Sequence, residues 1–192
     1  MKKFIRWLLI VVILGGGGYL AWHLLSPYKN VEAYSVIPAR PVFIIETDNS
    51  YRMWESLTKN KIWEVLSKHY LFARFGKGIN MADSVIQRND LLARYIGKRN
   101  MIVSMHILRN GGYDFAYAID LERTSKLLPV KDFINGFLED YKIVTSSFEG
   151  QDIHQLRSKK ENQIIYLSFL NNILLASFSK ELIESAILQL KN

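Results

Sequence analysis

The sequence predicts an α+β domain, a mostly antiparallel sheet with packed helices, preceded by one N-terminal transmembrane helix. Three observations point there. An uncharged apolar run fills residues 7–25 behind a basic start, an Asn-Gly pair separates two β-rich stretches near residue 110, and the second half alternates in short segments before a final amphipathic stretch.

The N-terminal run reads WLLIVVILGGGGYLAWHLL from Trp7 to Leu25, with His23 as its one strongly polar side chain. As a helix it spans about 28 Å, close to the hydrocarbon thickness of a bilayer. Trp7 and Trp22 lie near its two ends, where indole rings favour the membrane interface. Ser26-Pro27 ends it, because proline lacks the donor a helix needs. Residues 1–6 form a basic flank with Lys2, Lys3 and Arg6, so the positive-inside rule keeps that side in the cytoplasm. The expected setting is a bacterial inner membrane, with the lipid bilayer as one partner and the body periplasmic or extracytoplasmic. A cleaved signal peptide competes, with Gly16 to Gly18 as the small-residue site. Apolar residues resume from Tyr19 to Leu25, which favours a retained anchor. Gly17 and Ala21 form a small-xxx-small pair, an opening for weak self-association of two helices.

Residues 26–41 read as an extended tether punctuated by Pro27, Pro38 and Pro41. The domain is expected over 42–192. It opens with the β-branched run Val42-Phe43-Ile44-Ile45, and Asp48-Asn49-Ser50 then offers helix-capping oxygens. Residues 51–97 read as helical, with Ile62, Trp63, Val65, Leu66, Tyr70 and Ala73 recurring at three and four residue spacing. Asn100–Leu108 and Tyr113–Leu121 flank Asn110-Gly111, the strongest short hairpin signal. A two-residue loop there pairs His106 with Phe115, Ser104 with Tyr117 and Ile102 with Ile119, and puts Met101, Val103, Met105, Ala116 and Ala118 on the other face. Both faces are apolar, so this hairpin belongs inside the sheet. A helix is expected over 130–140, then strands over 141–149, 151–158, 162–170 and 173–178, and a last helix from Ser179. Thr145, Ser146 and Ser147 in mid-strand mark 141–149 as an edge or an open face. The chain stops directly after the last helix, which leaves open that it is the front part of a longer protein.

The chain has 192 residues, 49% hydrophobic and 22% charged, enough to bury a core without staples. It contains no cysteine, which excludes disulfides, lipid-modified cysteines and thiolate metal sites. The formal charge is +7, but setting aside Lys2, Lys3 and Arg6 brings it to +4. The remaining cations mix with acids and form no stripe, so no nucleic-acid partner is expected.

No motif specifies a reaction. His23, His69, His106 and His154 show no metal-ligand spacing, and there is no GxSxG, no SxxK and no HExxH. Gly76-Lys77-Gly78 lacks the strand and the Lys-Ser/Thr ending of a phosphate loop. No catalytic residue, cofactor or metal is therefore expected. The aromatic residues Tyr51, Trp54, Trp63, Tyr70 and Phe72 crowd the helical half. Most belong in a core, but any left on the surface mark a partner site.

The segments IPARPVFIIETDN, MWESLTKNKIW, INMADSVI and MIVSMHI resemble a family of bacterial membrane-anchored envelope proteins catalogued only as a domain of unknown function. The resemblance covers most of residues 36–120. It implies an envelope protein, often longer than this chain, and carries over no catalytic residues. Pro38, Glu46, Trp54, Trp63, Asp83, Ser104 and His106 match its pattern and are expected to define the fold. The expected function is a membrane-anchored, non-enzymatic interaction or scaffold module with an envelope protein as partner. The alternative is an extracytoplasmic ligand-binding or hydrolase-like domain built from dispersed Asp, Ser and His residues.

Overall fold

The structure, a computed structural model, describes Gly16 and residues 30–49, 52–53, 56, 59–70, 72, 75–76, 99–122, 134–135, 137, 140–160 and 162–191. Its centre is one seven-stranded sheet, antiparallel at every junction, in the order β1-β2-β3-β7-β6-β5-β4. The strands are β1 (Phe43–Thr47), β2 (Met101–Ile107), β3 (Tyr113–Asp120), β4 (Tyr141–Phe148), β5 (Gln151–Ser158), β6 (Ile164–Leu170) and β7 (Ile173–Ser177). Two meanders, β1–β3 and β4–β7, are joined where β3 pairs with β7. A 3-10 turn (Ala33–Val36) and the helices α1 (Lys61–Leu66) and α2 (Lys180–Lys191) complete the described elements.

Side chains alternate along each strand, so the sheet has two distinct faces. One face is aromatic: Phe115, Tyr117, Met101, Val103, Leu156, Ile165 and Leu174 pack with Trp63, Phe75 and Phe137. The other takes Ile102, Ala116, Ala118, Ile153, Leu170, Ile173 and Leu175. There α2 lays down Leu182, Ile183, Ala186 and Ile187, spaced so that one stripe of the helix meets the sheet. Each fully buried Leu or Ile of that stripe contributes about 1.5–3 kcal/mol. The short Ala116 and Ala118 leave room for this layer.

Residues 26–41 were expected as a tether, yet from Val31 onward they are packed. Val31, Val36 and Ile37 are buried beside α2. The buried side chain of Asn172 holds them: its Oδ1 accepts the Val31 N–H at 2.7 Å, and its Nδ2 donates to the Val31 carbonyl at 3.0 Å and to Asp120 at 2.8 Å.

The expected α+β architecture with packed helices behind a transmembrane helix is corrected. The described chain is mostly sheet, with one long helix at its C-terminal end. Among the described residues no helix is long and apolar enough to cross a membrane. Of the expected span 7–25 only Gly16 is described, so Trp7, Trp22, Gly17 and Ala21 lie outside the described residues. In the helical half, α1 stops at Leu66 because the chain tightens there: the His69 N–H bonds the Leu66 carbonyl three residues back. Its core side carries Trp63 and Leu66, which leaves Val65 exposed. Most of the 51–97 and 130–140 stretches lies outside the described residues, as does Asp83.

The β2–β3 register is also corrected. The loop has three residues, Arg109-Asn110-Gly111, closed by Gly111 N–H to Leu108 C=O at 2.9 Å and Leu108 N–H to Gly112 C=O at 2.8 Å. Gly111 sits at φ 78°, the left-handed position that such a loop needs. The extra residue pairs His106 with Asp114, Ser104 with Ala116 and Ile102 with Ala118. Met101, Val103 and Met105 therefore share the aromatic face with Phe115, Tyr117 and Ile119, and Ala116 and Ala118 lie opposite.

Candidate partner-binding surface

A ladder of rings climbs from the aromatic core to the surface. Trp63 meets Phe75 edge-on at 5.7 Å, Phe75 meets Phe115 at 5.5 Å, and Phe115 meets Tyr113 edge-on at 6.3 Å. Tyr113 then meets Tyr70 at 6.1 Å, and His69 lies against Tyr70 at 4.7 Å. Such tilted and edge-on contacts suit the aromatic quadrupole. The Tyr113 hydroxyl donates to the Tyr70 carbonyl, which fixes the turn after α1 against the start of β3. Directly opposite Tyr113 in the hairpin stands Ile107. At the outer end Tyr70 is 67% and Ile107 70% exposed, a large apolar investment in solvent.

The sequence-chosen aromatics therefore separate. Trp63 is buried, Phe72 is half-buried against the same core, and Tyr70 is at the surface. Tyr51 and Trp54 lie outside the described residues. Ile107 and Tyr113 were not singled out from the sequence. Their signal was the Gly111-Gly112 pair, which lengthens the loop and brings both to one face at the hairpin end.

A second constellation lies on the α2 side of the sheet. His106 Nε2 is 2.8 Å from Ser104 Oγ, and Asp114 faces His106 across the hairpin. Burial holds the His106 imidazole below its ordinary pKa, against a hydrogen bond to the Ala39 backbone that raises it. Asp114 accepts the N–H of Phe115 at 2.8 Å. The imidazole and hydroxyl are thus satisfied inside the protein, with Ser104 only 1% exposed. Near the other end of the sheet His154 Nδ1 is 2.9 Å from Thr145 Oγ1, and burial lowers its pKa against the pull of Asp152. On the aromatic face burial, then the charge of Asp114, pushes the Tyr117 hydroxyl well above the usual phenol range. Among the described residues no group of three or more His, Asp or Glu is placed to hold a metal ion.

No family model, curated protein or solved structure matches the chain. What the geometry offers is an exposed aromatic surface braced by ring contacts and a buried imidazole–hydroxyl pair. These differ in the property that decides use: the first meets solvent and the second does not.

Proposed function

We propose that this chain is a non-enzymatic interaction module that docks a protein partner on the surface built by Tyr70, Tyr113 and Ile107. One observation carries the reading: the exposed Tyr70 is braced ring by ring from the core, through Tyr113 and Phe115. Binding hot spots favour this arrangement, because a tyrosine already held in place loses little freedom on docking. The basic residues Lys2, Lys3 and Arg6 ahead of an apolar run support export, so the partner is sought outside the cytoplasm. The test is in-cell crosslinking of the tagged full-length chain, with mass spectrometry of what co-purifies. A reproducible partner is expected, and Tyr70→Ala combined with Ile107→Ser lowers its recovery about tenfold or more. Equal recovery from the double variant, or self-crosslinks alone, contradicts the reading.

A second reading, a hydrolase-like site, is favoured by the Ser104–His106 contact. Burial of that hydroxyl argues against it, because a nucleophile needs access to its substrate. A fluorophosphonate probe that labels the native chain and spares Ser104→Ala would restore it. Absence of labelling retires it.

A further inference from the structure

β4 ends the sheet, and no described strand pairs with its outer edge. Its eight residues meet β5 in unbroken register, from Tyr141 opposite Ser158 to Phe148 opposite Gln151, without bulge or proline. The two-residue turn between them has Glu149 at φ 51° and Gly150 at φ 78°, the mirror-image turn that suits twisted hairpins. In such a hairpin the pair next to the turn exchanges both backbone hydrogen bonds, and every second pair repeats this. Phe148, Ser146, Val144 and Lys142 therefore turn their backbone groups toward β5. Ser147, Thr145 and Ile143 turn theirs outward.

The opposite end of the sheet is guarded differently. β1 is short, follows Pro38 and Pro41, and is entered through Arg40 at φ 59°. Short strands and nearby prolines are the usual means of blunting an edge. β4 has one cation, Lys142, and otherwise presents Val144, Thr145, Ser146 and Ser147 to solvent. Val144 is 52% exposed.

Charge says what belongs beside it. Lys142 and Arg157 stand directly opposite each other in the register, both exposed, and a like-charged cross-strand pair is unfavourable. On their face within β4, β5 and β6 the neighbours are Val144, Ser146, Gln155, Ile164 and Tyr166, and the carboxylate next along the ladder, Asp140, is engaged by Lys160 at 2.8 Å. An added strand would set its own side chains next to Lys142 on that face.

We propose that the outer edge of β4, which no described strand pairs, is completed by an extended segment of a partner protein, carrying an acidic side chain beside Lys142 and an apolar one beside Val144. The segment adds a strand to the sheet: the outward groups of Ile143, Thr145 and Ser147 supply the hydrogen bonds. The acidic residue pairs with Lys142 from the outer side and offsets the like-charged contact that Lys142 makes with Arg157. Positions that contact one face alternate along a strand, so the acidic and apolar residues lie two apart in the partner. This contact uses none of the residues of the Tyr70 surface and stands or falls apart from it.

The test is fluorescence anisotropy of the full-length chain with two labelled synthetic peptides. One alternates threonine and valine around a central glutamate, and the other carries lysine in place of that glutamate. The glutamate peptide is expected to bind the native chain about tenfold or more tighter than the lysine peptide, and Lys142→Glu reverses the order. Thr145→Pro removes an outward N–H that the β5 ladder does not use, so it abolishes binding of both peptides while circular dichroism stays native. If that variant misfolds, the charge reversal at the exposed Lys142 decides alone. Equal binding of the two peptides, or no binding, overturns the proposal. Sedimentation showing self-association that Lys142→Glu alters also overturns it, by assigning the edge to a second copy. Partner capture that depends on Tyr70 but gives no peptide binding would sink this proposal and leave the interaction module standing. Peptide binding without Tyr70-dependent capture would do the reverse.

Discussion

Burial of an imidazole disfavours its charged form, so the folded chain holds both His106 and His154 below the ordinary histidine pKa of 6.5. In the unfolded chain these rings take up protons near that ordinary value, and in the folded chain only at lower pH. Between the two, the unfolded state binds more protons, so stability rises with pH across that window. It is fully present above about 6.5 and is lost as pH falls toward the folded pKa values. Urea midpoints measured at neutral pH and at about pH 5 should therefore drop on acidification, and His106→Gln should flatten the drop. An unchanged slope in that variant contradicts the assignment to His106. A second residue-scale prediction concerns Asn172. Removing its side chain leaves the Val31 N–H and carbonyl without their partner in a buried place. Asn172→Ala should cost about 3 kcal/mol by urea unfolding, and a loss below about 0.5 kcal/mol would show that water replaces the amide.

Elements were legible in proportion to how local their causes are. The four strands from Tyr141 to Ser177 and the final helix stand close to where alternation and turn residues put them. Asn49 also caps as its side chain suggests, accepting the Arg52 N–H at 2.9 Å. The β2–β3 register was missed by one residue, because Asn110-Gly111 suits both a two-residue turn and a three-residue loop. The helical periodicity around Trp63 placed Val65 and Tyr70 on the buried side. A helix that stops at Leu66 does not carry that stripe further. The β4–β5 turn gives the element-scale prediction. Gly150 at φ 78° occupies a region that a β-branched residue enters at a cost of about 1–2 kcal/mol. Beyond its chain neighbours no atom lies within 4 Å of a Cβ built there, so the cost is conformational and not crowding against the rest of the fold. Gly150→Val should lower the urea midpoint accordingly, and an unchanged midpoint contradicts this account of the turn.

At the scale of the whole molecule, nothing in the residues of β3 announces that its neighbour is β7, more than fifty residues on. That pairing joins the two meanders into one sheet and sends β4 to the far edge. Local patterning marked Thr145-Ser146-Ser147 as edge material but did not say which edge. Aromatic density pointed to Tyr70, while burial of Trp63 and recruitment of Tyr113 and Ile107 depend on how the layers close. The central claim is that this surface meets a partner. It is tested most directly by placing a photo-crosslinking phenylalanine at position 70 and, as a control, at the exposed Leu188 on the α2 side. The account predicts one reproducible heterologous adduct from position 70 and none of that mass from position 188. The same adducts from both positions, or adducts between copies of this chain alone, would contradict it.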